Sequence, residues 1–242
     1  MVMNGVNPVA ESMMMWLQQQ IDDRRADYEL TRQYYNGDHD TALTDRLKKF
    51  LPPRLQFRDN YMNVVVDALS ERLKVIGFEA DDEDFGEWAW DLWRHNRMDY
   101  TQVVVHTETI MLGDSYVLCD WDDKNERPRF THQPAEMIIP HYDETTRHID
   151  WASKKWVQKR LGEEPETRLN LYYPDKVEKY MARGGIWRQY SDELDESWPV
   201  PWLDRSGQPL GTPLVHFRNR PLGQDFGQSE IINLIPMQDL LN

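Results

Sequence analysis

The chain has 242 residues, enough for one large domain or two modest ones with a real core. It carries 28 Lys and Arg against 42 Asp and Glu, a net charge of −14 with histidines neutral. That excludes a clustered basic surface for nucleic-acid phosphates as its main device.

Apolar residues at 40% and aromatics at 12% are too many for a disordered acidic tail. The single cysteine, Cys119, excludes an internal disulfide or a Cys-rich zinc site and fits a reducing compartment. The longest apolar clusters, Val103–Val105 and Met137–Ile139, fall far short of the roughly 18 residues a membrane-spanning helix needs. Met13–Leu17 has no basic flank and runs into three Gln, so it does not read as a signal peptide. The expectation is a soluble chain that stays in the cell that makes it.

Residues 11–35 place Met14, Leu17, Ile21, Tyr28 and Tyr35 at mostly helical spacing and predict a helix. Gly37 follows where a helix end often needs a left-handed residue. Residues 38–59 are polar, broken by Pro52 and Pro53, and read as a linker or arm. A second helix is predicted over Tyr61–Leu73, burying Met62, Val65, Val66, Leu69 and Leu73, with Val75–Phe78 leaving it as a short strand. The acids Asp81–Asp84 suit a helix N-terminus and open a third helix, Glu87–Arg97, whose packing face has Trp88, Leu92 and Trp93. A fourth, Asp99–Leu112, ends at Gly113.

The pattern then turns to strands: Ser115–Trp121, Arg129–His132, Met137–His141, Ile149–Val157 and Arg168–Tyr173. Lys179–Met181 and Ile186–Tyr190 form a hairpin across Gly184 and Gly185, whose freedom at positive φ suits the turn. Residues 192–213 read as a long surface loop and Leu214–Phe217 as a last strand. Ser229 is a good N-cap for a helix with Ile231, Leu234, Ile235 and Leu241 in phase, which Pro236 kinks or restarts. That segment has no Gly, no basic last turn and no polar tail, and reads as a helix still being built. The fold class is α+β.

Chemistry is hard to find. There is no phosphate-cradling glycine loop and no spaced-glycine dinucleotide fingerprint. His132, His141 and His148 lie on or near consecutive strands and could converge with Asp143, but they read first as ordinary histidines of a β-region. Ser229, in Gly-Gln-Ser-Glu, lacks the flanks of a nucleophile elbow and reads as a cap. Cys119 sits in an apolar strand beside Asp120, whose charge raises a thiol's pKa, and reads as core. Asp120, Asp122 and Asp123 near Glu126 could chelate Mg²⁺ or Ca²⁺, or form a solvated hairpin tip. The stretch Lys154–Arg160 mixes aromatic and basic residues and reads as one exposed strand face. Trp88, Trp90 and Trp93 spread around one helix; one side is core, and the other is a candidate subunit interface, where Trp often anchors. No catalytic, metal or cofactor-binding residue is assigned.

Four stretches, in order, resemble the bacteriophage portal proteins, the head-to-tail connectors of tailed phages. Tyr34-Tyr35-Asn36-Gly37-Asp38-His39 resembles the end of the family's N-terminal helix. Asn60–Asp67 leads through Arg72-Leu73 to Val75–Phe78. Leu112–Val117 is similar to the helix-Gly-strand passage into the family's β-rich wing. Thr212–Asn219, then Gly227–Ile231 and Asp239–Asn242, resemble a proline-led strand, an Asn, Gly-x-Ser and a helix. The likeness covers roughly residues 11–242, and the ordered series carries it. Family members are usually longer, continuing into stem helices, a clip domain and a crown.

The resemblance implies residues 1–37 as an N-terminal helix, 38–59 as an arm, 60–226 as an α+β wing-like domain and 227–242 as the start of a truncated stem-type helix. It implies a ring, normally a dodecamer, at one capsid vertex of a virion assembled in the bacterial cytoplasm. Its partners would be further copies, a terminase, capsid and scaffold proteins, head-tail adaptors, and double-stranded DNA passing without sequence-specific binding. No membrane is involved and no enzyme activity is implied. Two other classes stay open: a metal-dependent nuclease using Asp120, Asp122, Glu126 and His132, and a monomeric adaptor using the Trp88–Trp93 surface.

Overall fold

The computed structural model describes residues 8–39, 59–191 and 197–241. Helices come first: α1 (Pro8–Asn36), α2 (Met62–Ser70), α3 (Glu83–His95) and α4 (Met98–Leu112). Strands follow as β1 (Asp114–Asp122), β2 (Arg127–Gln133), β3 (Ile138–Tyr142), β4 (Ile149–Gln158), β5 (Glu166–Tyr172), β6 (Lys176–Arg183), β7 (Ile186–Gln189), β8 (Val200–Pro201) and β9 (Leu214–Arg218), and α5 (Ile235–Leu241) closes the order. The fold is α+β. Among the described residues no helix is long and apolar enough to cross a membrane. The chain divides into two compact units, Met1–Arg25 with Tyr116–His216 and Ala26–Ser115 with Phe217–Asn242.

The first unit holds an antiparallel sheet in the order β3-β4-β5-β6-β7, with β8 paired to β6. Side chains alternate across a strand, so Leu169 and Leu171 of β5 share a face with Tyr180 and Ala182 of β6 and Trp187 of β7. Met14 and Leu17 of α1 lie on that face and complete the core. Each of the buried Met and Leu side chains of this core contributes about 1.5–3 kcal/mol. The stretch expected to form one exposed basic face is split by this arrangement. Lys155, opposite Leu169 in register, points into the covered face and is 8% exposed. Its ammonium reaches both carboxylate oxygens of Asp22 on α1 at 3.2 Å, which offsets the desolvation of a buried cation. Lys154 points the other way, 4.6 Å from the ring centroid of Trp156.

A smaller sheet runs β2-β1-β9. Cys119 lies in β1 and its thiol is pushed up to about 11, by burial first and by Asp120 second. Cys119 is only half-buried, so it sits at the margin of the core rather than inside it as its apolar strand suggests. On β3, His141 is stacked against Trp151, with centroids 3.6 Å apart, and against Trp16 at 5.6 Å. Burial lowers its pKa from 6.5 to about 4. The unfolded chain therefore takes up a proton near pH 6.5 that the folded chain refuses until about pH 4. Stability is full above pH 6.5 and falls as pH drops towards 4. His141→Phe should flatten that part of the profile, read as urea midpoints across pH 4–7.

The second unit contains α2, α3, α4 and α5. Asp82 caps α3 by accepting from the Asp84 N–H at 3.0 Å, with Glu83 and Asp84 in the first turn and Arg94 and His95 in the last. These signs complement the helix dipole, and the acidic opening falls where the sequence placed it. Two expectations fail nearby. Helix α2 ends at Ser70 and buries Met62, Val66 and Ser70, so Leu69, inside it, is 40% exposed and Leu73, beyond it, is 48% exposed rather than buried. Turn bonds from Arg72 N–H to Leu69 O and from Leu73 N–H to Ser70 O leave the helical path before Leu73. Val75–Phe78 is extended but joins no sheet. Its Val75 N–H donates to the Gln102 side chain of α4 at 2.7 Å, so a side chain replaces a strand partner.

Before α5 the chain makes one 3₁₀ turn, Ile232–Leu234. Pro236 is the second residue of α5, in the first turn where its missing N–H is harmless. It restarts the helix rather than kinking one. The stretch 192–213, read as loop, contains β8 and a bridge between Leu203 and Pro209, while 192–196 lie outside the described residues. Most of the predicted arm, 40–58, lies outside them too.

Candidate functional site: two polar knots in the helical unit

Those parts of the singled-out stretches that lie in the second unit form two hydrogen-bonded knots there. The first forms where α4 gives way to β1. Gly113 ends the helix at φ +96°, and the next residue, Asp114, is fully buried. Its carboxylate accepts the Tyr28 hydroxyl of α1 at 2.8 Å and the Gly227 N–H at 2.7 Å. Gly113 O accepts the Asn219 N–H at 2.8 Å, and Asn219 O accepts the Gln228 N–H at 2.7 Å. The Asn219 amide then donates to Gln228 O at 2.7 Å and to Glu230 at 2.9 Å.

Ser229 finishes this knot. Its hydroxyl donates to Met111 O at 2.5 Å and accepts the N–H groups of Ile231 and Ile232, both at 3.2 Å. It accepts from the lead into the 3₁₀ turn ahead of α5, two residues before that turn's own N-cap, Ile231, rather than standing at the N-cap expected of it. One turn earlier on α4, buried Glu108 accepts from Arg32 at 3.0 Å and from Ser115 at 3.1 Å. A buried carboxylate survives there because both oxygens have donors.

The second knot ties the end of α1 to the start of α2 and to α5. Gly37, at φ +72°, turns the chain after α1, and His39 stacks on Tyr34 with centroids 4.3 Å apart. The Tyr34 hydroxyl donates to Asp239 of α5 at 2.7 Å, and the Tyr35 hydroxyl donates to Asp67 of α2 at 2.8 Å. Burial, then that bond to Asp67, pushes the Tyr35 hydroxyl up to about 12. The Asn60 amide donates to Tyr35 O at 2.8 Å. Gln238, fully buried on α5, accepts the Tyr61 N–H at 3.1 Å and donates to Asp59 O.

These groups hold chain to chain; they do not form a nucleophile with its base. What they do is fix the course of α1, α2, the α4–β1 corner and the lead into α5 against one another. The sequence places Gly37 and Gly113 at helix ends and reads Ser229 as a cap, but gives no role to the polar side chains of Asp114, Asn219, Asp239 and Gln238. The signal for Gln238 was available: an amide in phase with Leu234 and Leu241 on a short apolar helix needs buried partners.

The sequence-predicted sites lie elsewhere. Asp120 is paired with Arg129 at 2.8 and 2.5 Å, and Asp122 receives the N–H groups of Lys124 and Asn125 and the Asn125 amide. Glu126 lies in the hairpin turn at φ +49°, and Asp143 caps the turn at Thr145 and Thr146. His132 is on β2, and His141 is held between indoles. Among the described residues no group of three or more His, Cys, Asp or Glu could hold a metal ion. Of the tryptophans on α3, Trp90 and Trp93 lie edge-on to Phe78 at 5.9 and 5.5 Å. Trp88 is 51% exposed and lies 5.6 Å from exposed Phe85.

No curated protein matches the chain. Residues 15–242, a span that contains both knots and both sheets, match the family described as phage portal protein, SPP1 Gp6-like, and the chain belongs to that family.

Proposed function

We propose that this chain is a structural portal protein that assembles as a ring, normally of twelve copies, at one vertex of the capsid. DNA passes through the ring during packaging and ejection, and the ring is the point of attachment for the tail. Family membership assigns a portal role and a place in the virion; portal proteins are a structural family. The observation that carries the reading is the match over residues 15–242, parts of whose characteristic stretches join in the two knots.

In this reading, residues 60–226 serve as the wing-like part, with 1–37 and 38–59 as N-terminal helix and arm, and 227–242 lead into a stem-type helix. The partners are further copies, a terminase, capsid and scaffold proteins, and head-tail adaptors. The net charge of −14 supports passage of DNA without sequence-specific binding, because an acidic wall does not hold phosphates. Trp88 serves as the subunit-contacting side chain, with Trp90 and Trp93 seating the helix behind it. Trp88→Glu should then shift the sedimentation of the purified chain from large species towards monomer with its circular dichroism unchanged. An unaltered distribution would contradict the role of Trp88.

A further inference from the structure

We propose that the rings are sealed by a two-sided seam in which Phe85 and Trp88 of one copy enter the outer face of α4 on the next. The proposal rests on the ring reading above and names the surfaces that would meet. It starts from an anomaly on α4. Its inward side buries Met98, Gln102, Val105, Glu108 and Met111, yet Tyr100, Val103 and Val104 on the other side are 70%, 55% and 51% exposed. These three follow i, i+3, i+4 spacing, so they form one stripe with no charge in it. A contiguous apolar stripe left on the outer face of a helix marks a surface that meets a partner.

A second copy is the occupant that the charges favour. Beside the α4 stripe stands Arg97, 6.0 Å from the Tyr100 ring centroid, and the segment next to α4 carries exposed Arg72 and Lys74 on either side of exposed Leu73. Leu73 is tied to α4 through its carbonyl, 3.0 Å from His106 Nδ1. Glu71 and Asp99 offset part of this basic rim. The knob on α3 has the opposite surroundings. Phe85 and Trp88 stand 57% and 51% exposed among Asp81, Asp82, Glu83, Asp84 and Glu87, all exposed. Knob against knob would set acid against acid on copies that already carry −14 each. Knob against stripe joins aromatic to aliphatic surface and an acidic rim to a basic one. Two unlike surfaces on one chain make a head-to-tail contact, the kind from which rings close.

The test uses the full chain with Cys119→Ala, carrying either Asp91→Cys beside the knob or Thr107→Cys beside the stripe, so that Phe85, Trp88, Tyr100, Val103 and Val104 all stay, mixed in equal amounts and treated with a short bismaleimide. Chance encounters give the mixed dimer only twice the yield of each like dimer. The seam requires an excess of about tenfold or more, reflecting like-charge cost at the wrong pairing. It also requires that excess to fall when Asp84 and Glu87 are changed to Lys. Like dimers in equal or greater yield, or no cross-link at all, overturn the seam. The solution mass of the unaltered chain separates the two claims: large species without the mixed dimer overturn the seam alone, whereas monomer at every concentration overturns the ring reading with it.

Discussion

Gly227→Ala is expected to cost more than about 4 kcal/mol and to lower the thermal midpoint by about 10 °C or more. The reason is steric and local. A Cβ on Gly227 would meet Gly113 O and would lie 2.7 Å from both N and O of Asn219. All three are backbone atoms, so no side chain can swing aside. Nor can the strands separate cheaply, because Gly113 O accepts from Asn219 N–H and Asn219 O accepts from Gln228 N–H in the same place. A shift large enough to admit the methyl group breaks those bonds and tilts Ser229 away from Met111. Gly77→Ala is the control, since a Cβ there meets nothing within 4 Å, and it should change stability by less than about 0.5 kcal/mol. Differential scanning fluorimetry of the two variants beside the parent chain makes the comparison.

Asp114→Ala should cost roughly 3 kcal/mol or more, because it leaves two buried donors without an acceptor: the Tyr28 hydroxyl and the Gly227 N–H. Asp114→Asn should cost less. Its carbonyl oxygen can still accept from Gly227, and its amide can donate to the Tyr28 hydroxyl. Tyr28→Phe removes one donor and leaves the bond to Gly227, so about 1 kcal/mol is expected. In the Tyr28→Phe, Asp114→Ala double variant the losses should fall short of additive, because the hydroxyl orphaned by the alanine is no longer there. Urea unfolding of the four proteins measures the coupling directly. Full additivity would show that Tyr28 and Asp114 do not act through each other.

The helices and strands were legible where a local period decides them. Met14, Leu17, Ile21 and Tyr28 mark the buried stripe of α1 and all four are buried, whereas Tyr35, set in the same phase, is only half-buried and Tyr34 is buried instead. Val75–Phe78 misled because short β-branched runs look alike whether they pair with a strand or lie along a helix. Leu73 misled because helical phase does not continue past Ser70, and Leu69 misled because the buried side of the helix runs through Met62, Val66 and Ser70 instead. Lys155 looked like solvent-facing charge because its partner, Asp22, is 133 residues away.

The knots were legible only as an ordered series of short patterns. Tyr28 meets Asp114 across 86 residues and Tyr61 meets Gln238 across 177, and several of the bonds are to backbone atoms, which carry no residue identity. Periodicity contains no signal for such pairings. The resemblance pointed to the right segments, and the geometry supplied what they do there. On α3 the sequence sets Trp88 on the packing face with Leu92 and Trp93, but in the structure Trp88 is half exposed, while Trp90 and Trp93 are set against Phe78.

The most direct measurement is negative-stain microscopy of the purified chain at high concentration, with its solution mass determined on the same sample. Rings with a central hole, at a mass that is a whole multiple of 28.9 kDa, are the result required of a ring-forming portal protein. A uniform population of 28.9 kDa monomers at every concentration would contradict it.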